Sequence, residues 1–323
     1  MAQLNLNGSV KDGFNHWLDY VDRPYFRAWF VAVPLAFFFF AGLFRLLGWW
    51  NFKLQKVAKD AKGKVIKDKN GETMLVDSST RASDDMAFEL VAGICVTYLA
   101  VAGFVCTFGK QFGINDYEEL SKNPYYGKSA FVEDHLVAPM ISYQGWNILI
   151  TFYMESIYSV EMLGHHLVTG GLAYLGLNPY LHYRALFFFG IAEFTNIPLT
   201  FYDVAKKLQW NKNGLGYNLS QGVFAVSFII LRLILWPYFS FHFWIDSYQL
   251  LTTGQDAIGN KCHSQFVVLF FVLSNFFLTF LQFFWGKKIV AGILPLLGIS
   301  AGGKKGDKGE SSRKENGESK KGN

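Results

Sequence analysis

The sequence predicts an all-α fold: a polytopic bundle of about seven transmembrane helices. Three observations carry this expectation. Of the 323 residues, 51% are hydrophobic and 18% aromatic. Only 17% are charged, against about 25% in an average soluble domain. The charges crowd into 51–85, 109–134, 203–213 and 301–323, and the runs between them are nearly bare. Bare apolar runs punctuated by charged loops mark membrane spans rather than one large soluble core.

Residues 1–24 are polar and then amphipathic. Val10, Phe14, Trp17, Leu18 and Val21 share one helical stripe, which suits either a helix lying in the membrane interface or an ordinary packing helix. Residues 25–85 hold the first span and a hydrophilic loop. The span covers residues 26–47, with Pro34 as a kink site and Trp49-Trp50 as an interfacial belt. The first apolar run is too long for the core of a cleaved signal. In the loop, VIKDKNGETMLV places Asn70-Gly71 between two apolar-bearing segments, a signal for an exposed hairpin.

Residues 86–299 hold the remaining spans. The second covers 86–108, with Asp84 and Asp85 placed to cap its start. An acidic loop follows, then a third span at 136–158. The fourth, 165–177, is short: its residues rise only ~20 Å, where a crossing normally needs ~20 residues. It must sit in thinned membrane, tilt little, or extend back through Glu161, Met162 and Leu163; if it does not cross, six spans remain. The fifth span is 181–202, the sixth 220–244 with Arg232 at its centre, and the seventh 266–285. Lys287-Lys288 then interrupts, and the apolar piece 289–299 is too short to cross, so an interfacial or bundle-edge position is expected. Residues 301–323 are Gly, Lys, Ser and Glu without apolar periodicity, a disordered basic tail.

Topology follows from the basic loops. Loop 51–85 carries eight Lys or Arg, loop 203–218 carries Lys206, Lys207 and Lys212, and the end carries Lys287, Lys288 and the tail. With seven spans all three lie on one side, the cytosol, and Asn7-Gly8-Ser9 is a glycosylation sequon on the other. Lys320-Lys321, at the fourth- and third-last positions, looks like the dilysine retrieval signal of endoplasmic reticulum membrane proteins, which must be cytosolic.

Polar groups at bilayer depth are expensive and tend to face a bundle interior. His165 and His166 open the fourth span at the cytosolic side, Glu155 closes the third on that side, Glu193 lies just past the midplane and Arg232 is mid-span. These groups are expected to converge on one cavity open toward the cytosolic leaflet. Neighbouring histidines point ~100° apart, so at most one of the pair readily faces it and the other is free to snorkel at the interface. Glu193 needs a partner, and Arg232, His166 and Asn196 are the candidates. Thr195, Asn196 and Pro198 suit a helix kink. Cys95, Cys106 and Cys262 show no paired spacing. The seven histidines lack the repeated clusters of di-iron oxygenases, so neither a metal nor a cofactor is expected. No Gly-x-Ser-x-Gly elbow, P-loop or dinucleotide fingerprint is present.

The segments HHLVTGGLAY and, a helix length on, EFTNIPLTFYDVAKKL resemble the TLC domain over roughly residues 86–290. The resemblance implies an endoplasmic reticulum protein of lipid metabolism or homeostasis. In the family's ceramide synthases the paired histidines and downstream acidic residues belong to the site that moves an acyl chain from acyl-CoA to a long-chain base. Here His165 and His166 match the pair and Glu193 approximates the first acidic position. The synthases carry His-Asp and then a further Asp; this chain reads Ala192-Glu193 and Asn196, which shifts it toward members implicated in lipid composition, sensing or trafficking. As an acyltransferase, His165 or His166 would take a proton or the acyl group, Glu193 would orient it, and Arg232 would stabilise the oxyanion. Asn196, Thr195 and Glu155 join Arg232 as candidate substrate contacts, with acyl-CoA as the substrate. The alternatives are lipid binding without turnover and cargo handling. Expected partners are membrane lipids and, through Lys320 and Lys321, a retrieval coat; a homodimer is left open, and no nucleic acid is expected.

Overall fold

The computed structural model describes residues 24–57, 65–67, 74–177, 180–208, 211, 214–255, 259 and 264–293. The stripe at 10–21, Asn7, the Asn70-Gly71 turn, Cys262, residues 294–299 and Lys320-Lys321 lie outside the described residues.

Among the described residues seven main helices make up the bundle. They are α1 (Pro24–Leu46), α2 (Ala82–Phe108), α3 (130–153), α4 (Val160–Leu175), α5 (His182–Lys207), α6 (Leu215–Thr253) and α7 (Gln265–Ile293). Five of them, α1, α2, α5, α6 and α7, are long and apolar enough to cross a membrane. Gln144 and Asn147 lower the hydropathy of α3, and α4 has only 16 residues. Two short strands, β1 (Lys53–Val57) and β2 (Leu75–Arg81), pair antiparallel with Val57 opposite Leu75. They join the two ends of the hydrophilic loop beside the bundle.

Contacts sort the helix ends onto two faces. Arg45, near the end of α1, pairs with Asp84 at the start of α2 (2.5 Å). Lys207, the last residue of α5, reaches Asp85 (2.6 Å) and Glu89 (2.5 Å) of α2. Ser156, between α3 and α4, donates to Asp85 (2.8 Å). On the opposite face, Leu181 N–H donates to Tyr125 O (2.8 Å), Ser129 N–H to His182 Nδ1 (3.2 Å), and His182 Nε2 to Gly176 O (2.8 Å). The stretch from Ser159 to Gly176 therefore runs from one face to the other, and the basic ends of α1, α5 and α7 share the first, here the basic face.

Several boundaries differ from the sequence expectation. Helix α4 begins at Val160, because Ser159 Oγ accepts from Met162 N–H (3.1 Å) and caps it. Asp84 and Asp85 do not cap α2; Arg81 is the N-cap residue and makes no side-chain cap bond, while the carboxylates serve as ion-pair acceptors. Helix α3 ends at Tyr153, where Met154 turns extended. Helix α7 runs unbroken through Lys287-Lys288 to Ile293: Lys288 lays its ammonium over the Phe284 ring at 4.1 Å, an amphipathic side chain accommodated at a helix end.

Helices α2 and α5 meet backbone to backbone. A Cβ on Gly103 would lie 2.4 Å from Gly190 Cα, and one on Gly190 would lie 2.6 Å from Gly103 Cα. No side chain can yield there, so the helices must part. Gly103→Ala is expected to cost about 1–3 kcal/mol, the range for overpacking, and to lower the thermal midpoint in detergent. Gly42→Ala, where nothing lies within 4 Å, should leave it unchanged or raised.

Candidate functional site

The site starts with two rewound helices. In α5 a π-helical turn, Leu186–Gly190, is followed by a 3-10 segment, Ile191–Thr195, before α-helix resumes at Asn196. In α6 a π segment, Ile229–Leu235, precedes Pro237. Proline supplies no N–H to the preceding turn, so both Pro198 and Pro237 sit where the backbone has already left ideal α-geometry. Hydroxyls take up some of the carbonyls: Thr195 Oγ1 donates to Ala192 O (3.0 Å) and Thr200 Oγ1 to Asn196 O (2.9 Å).

The rewound turns carry Glu193 and Arg232, and these face each other. Arg232 Nη2 lies 3.2 Å from Glu193 Oε1, and Asn196 Nδ2 donates to Glu193 Oε2 (2.6 Å). Arg232 Nε donates to Thr195 Oγ1 (3.2 Å), and the guanidinium lies 5.2 Å from the Trp236 ring centre. Both residues are buried, 8% and 5% exposed. Isolated charges are not tolerated at that burial; a hydrogen-bonded pair is.

The histidines come from α4. His166 Nδ1 lies 2.6 Å from Gln144 Oε1. A Gln carbonyl oxygen only accepts, so Nδ1 carries the proton, and in the neutral ring Nε2 then keeps its lone pair. The amide is oriented from its other end, Gln144 Nε2 lying 3.2 Å from Met140 Sδ. The His165 ring packs edge-on against Trp285, centroids 5.6 Å apart, and its Nδ1 is buried without a hydrogen-bond partner among the described residues.

These side chains line a cavity of about 500 Å³ walled by α2 to α7. His165, His166, Glu193, Asn196 and Arg232 all face it, and its basic-face end carries Glu89, Asp203 and Lys288. Thr195 joins through Arg232. A narrower slot of about 60 Å³ continues toward the opposite face and shares His165, Glu193 and Arg232 with the cavity. Both histidines therefore face open space, not one: His165 stands where cavity and slot meet, so rings pointing in different directions both find a void.

One sequence expectation resolves differently, and another narrows to two of its three candidates. Glu155 lies apart from the cavity lining and accepts from Ser78 Oγ (3.3 Å), Ser79 N–H (3.2 Å) and Ser79 Oγ (3.2 Å), tying the strand pair to the α3–α4 turn. Glu193 bonds Arg232 and Asn196, while the hydrogen bond of His166 goes to Gln144. Beyond Asn196, three amides that the sequence analysis did not single out, Gln144 and Asn147 on α3 and Gln282 on α7, also line the cavity. Their signal was present, as carboxamides inside otherwise apolar runs. Among the described residues no three His, Cys, Asp or Glu side chains gather as a metal-binding group.

The ion pair is testable by a double-mutant cycle. Removing one partner of a buried pair leaves an uncompensated charge and typically costs about 3–5 kcal/mol. Arg232→Met and Glu193→Leu are each expected to destabilise the protein in detergent by that order. The double variant should lose less than the sum of the two single losses, by a coupling of about 1–3 kcal/mol; additive losses would deny the pairing.

The TLC domain model, of the TRAM–LAG1–CLN8 group, matches residues 85–291. No curated protein and no solved structure matches the chain. The matched region begins at Asp85 and ends near the close of α7, so it takes in every helix that walls the cavity. A membrane-spanning bundle whose paired histidines and buried acidic residue line one intramembrane cavity, matched over that length, belongs to the TLC domain family.

Proposed function

We propose that the protein binds an amphiphilic lipid in the wide cavity and acts in lipid metabolism or homeostasis in the endoplasmic reticulum membrane. The observation that supports this most is the cavity itself. About 500 Å³ lies among six helices, apolar along much of its wall, with a few convergent polar groups at its depth. That is the usual make-up of a small-molecule site. The amides of Gln144, Asn147 and Asn196 offer neutral hydrogen bonds, while Glu89, Asp203 and Lys288 line the end where a polar headgroup would sit. The basic stretches at one face suit a cytosolic side by the positive-inside rule. Lys320 and Lys321 would then serve retrieval to the reticulum, in keeping with the family's lipid biology.

The arrangement favours binding over a proton-relay triad. Glu193 is committed to Arg232 and Asn196, so it does not orient either histidine as a catalytic carboxylate would. One observation keeps acyl transfer as a second reading: the tautomer of His166 leaves Nε2 as a lone-pair nitrogen, able to accept a proton from a bound amine or hydroxyl.

Mass spectrometry of lipids co-purified with the full-length protein tests both. His166→Ala removes one buried hydrogen-bonding group, and about 1.4 kcal/mol is tenfold in affinity, so retained lipid should drop about tenfold while monodispersity is kept. Lipidomics of a deletion strain rescued by wild type, but not by His165→Ala/His166→Ala, would follow. A purified protein free of bound lipid would refute lipid binding, and a variant retaining it unchanged would refute the placement of the lipid against His166. Acyl-CoA-dependent N-acylation that collapses in the double variant would favour the acyltransferase.

A further inference from the structure

The slot between the polar centre and the face opposite the basic loops is walled mostly by apolar and aromatic side chains, yet it holds polar atoms that bond nothing among the described residues. Thr169 and Asn275 are 6% and 7% exposed. Thr169 Oγ1 and Asn275 Oδ1 nevertheless have no hydrogen-bond partner among the described residues. His165 Nδ1 and Arg184 Nε are in the same position. All four residues line the slot.

Their order along the bundle is continuous. His165 stands at the junction with the wide cavity. Thr169 follows one helical turn further along α4. Asn275 faces the slot from α7, more than a turn beyond Gln282 of the wide cavity. Arg184, in the first turn of α5, closes the column, its Nη2 bonded to Asp246 Oδ2 at 2.5 Å. Buried polar groups in native proteins find protein or ordered water as partners. A hydrocarbon chain in the slot would satisfy none of the four. A volume of about 60 Å³, at roughly 15 Å³ for each water, holds about four.

We propose that the slot holds a file of ordered waters, bonded to His165, Thr169, Asn275 and Arg184, which gives the Glu193–Arg232 centre a water path to the face opposite the basic loops. Arg184 Nε–H donates to the file, Asn275 Oδ1 accepts from it, and the Thr169 hydroxyl does either. The inference goes beyond the lipid-binding reading and does not require it, since it concerns the other side of the centre.

X-ray hydroxyl-radical footprinting of the full-length protein in nanodiscs, read by mass spectrometry, tests it. Radicals form where water is held, so Phe271 and Leu278, which line the slot, should oxidise several-fold more than lipid-facing Leu273, 59% exposed in the bundle alone. The excess should fall several-fold in Thr169→Val/Asn275→Leu. The melting temperature supplies an independent sign. In a hydrated slot Thr169→Val breaks a bond to water and lowers it; in a dry slot it removes an unpartnered hydroxyl and raises it. Wild-type labelling of Phe271 and Leu278 no higher than Leu273, a raised melting temperature, or an acyl chain seated between Thr169 and Asn275 would each overturn the proposal. Lipid retention by the wide cavity is read from His166→Ala, so failure of one idea leaves the other to stand on its own result.

Discussion

The Glu193–Arg232 pair spans 3.2 Å between α5 and α6, at the junction of the wide cavity with the slot. Neither charge is tolerable there without the other, because desolvation of a lone carboxylate or guanidinium exceeds what surrounding apolar contacts return. The pair therefore fixes how α5 and α6 are turned about their axes. That rotation is made possible by local departures from α-geometry: a π turn leading into a 3-10 segment ahead of Pro198, and a π segment ahead of Pro237. The prolines, the threonine hydroxyls and the charges are parts of one solution, and Asn196 and Thr195 complete it by bonding one charge each.

A second set of charges acts at the basic face. Asp84, Asp85 and Glu89 crowd the first turns of α2, near the positive end of its dipole, and receive Arg45 from α1 and Lys207 from α5. Ser156 adds a bond from the α3–α4 turn. Three elements are thus gathered around one acidic helix start. Lower down, Gly103 and Gly190 bring α2 against α5 at backbone contact. Clamped at one end and in van der Waals contact along its middle, the α2–α5 pair forms a rigid wall, against which α3, α4, α6 and α7 leave the void.

The polarity of that void is graded. Toward the basic face it offers carboxylates and an ammonium, at mid-depth amides, imidazoles and the ion pair, and beyond them mostly rings and aliphatic side chains interrupted by Thr169 and Asn275. The histidines are held by unlike means, His166 by a hydrogen bond to Gln144 and His165 by packing on Trp285. Two adjacent residues of one motif thus have separate environments, and there is no reason to expect substitution of either to mimic the other.

Much of the architecture is local and therefore legible in the chain. Apolar runs set the helices, and the short run after His165 becomes a 16-residue helix because Ser159 caps it early, the backward extension being one of the options its length left open. The continuation of α7 past Lys287-Lys288 was not legible, since a rule that treats lysine as a stop ignores its apolar stem and the Phe284 ring beneath it. Of three candidate partners for Glu193, tertiary structure selected Arg232 and Asn196, gave His166 to Gln144, and moved Glu155 to the strand pair. The sequence by itself determined that a membrane bundle would carry ionisable groups in its interior, because hydropathy is a property of each segment alone. Which of those groups meet depends on the rotation of each helix about its axis, set by π turns, prolines and a glycine crossing between segments far apart in the chain, and only the folded bundle decides that.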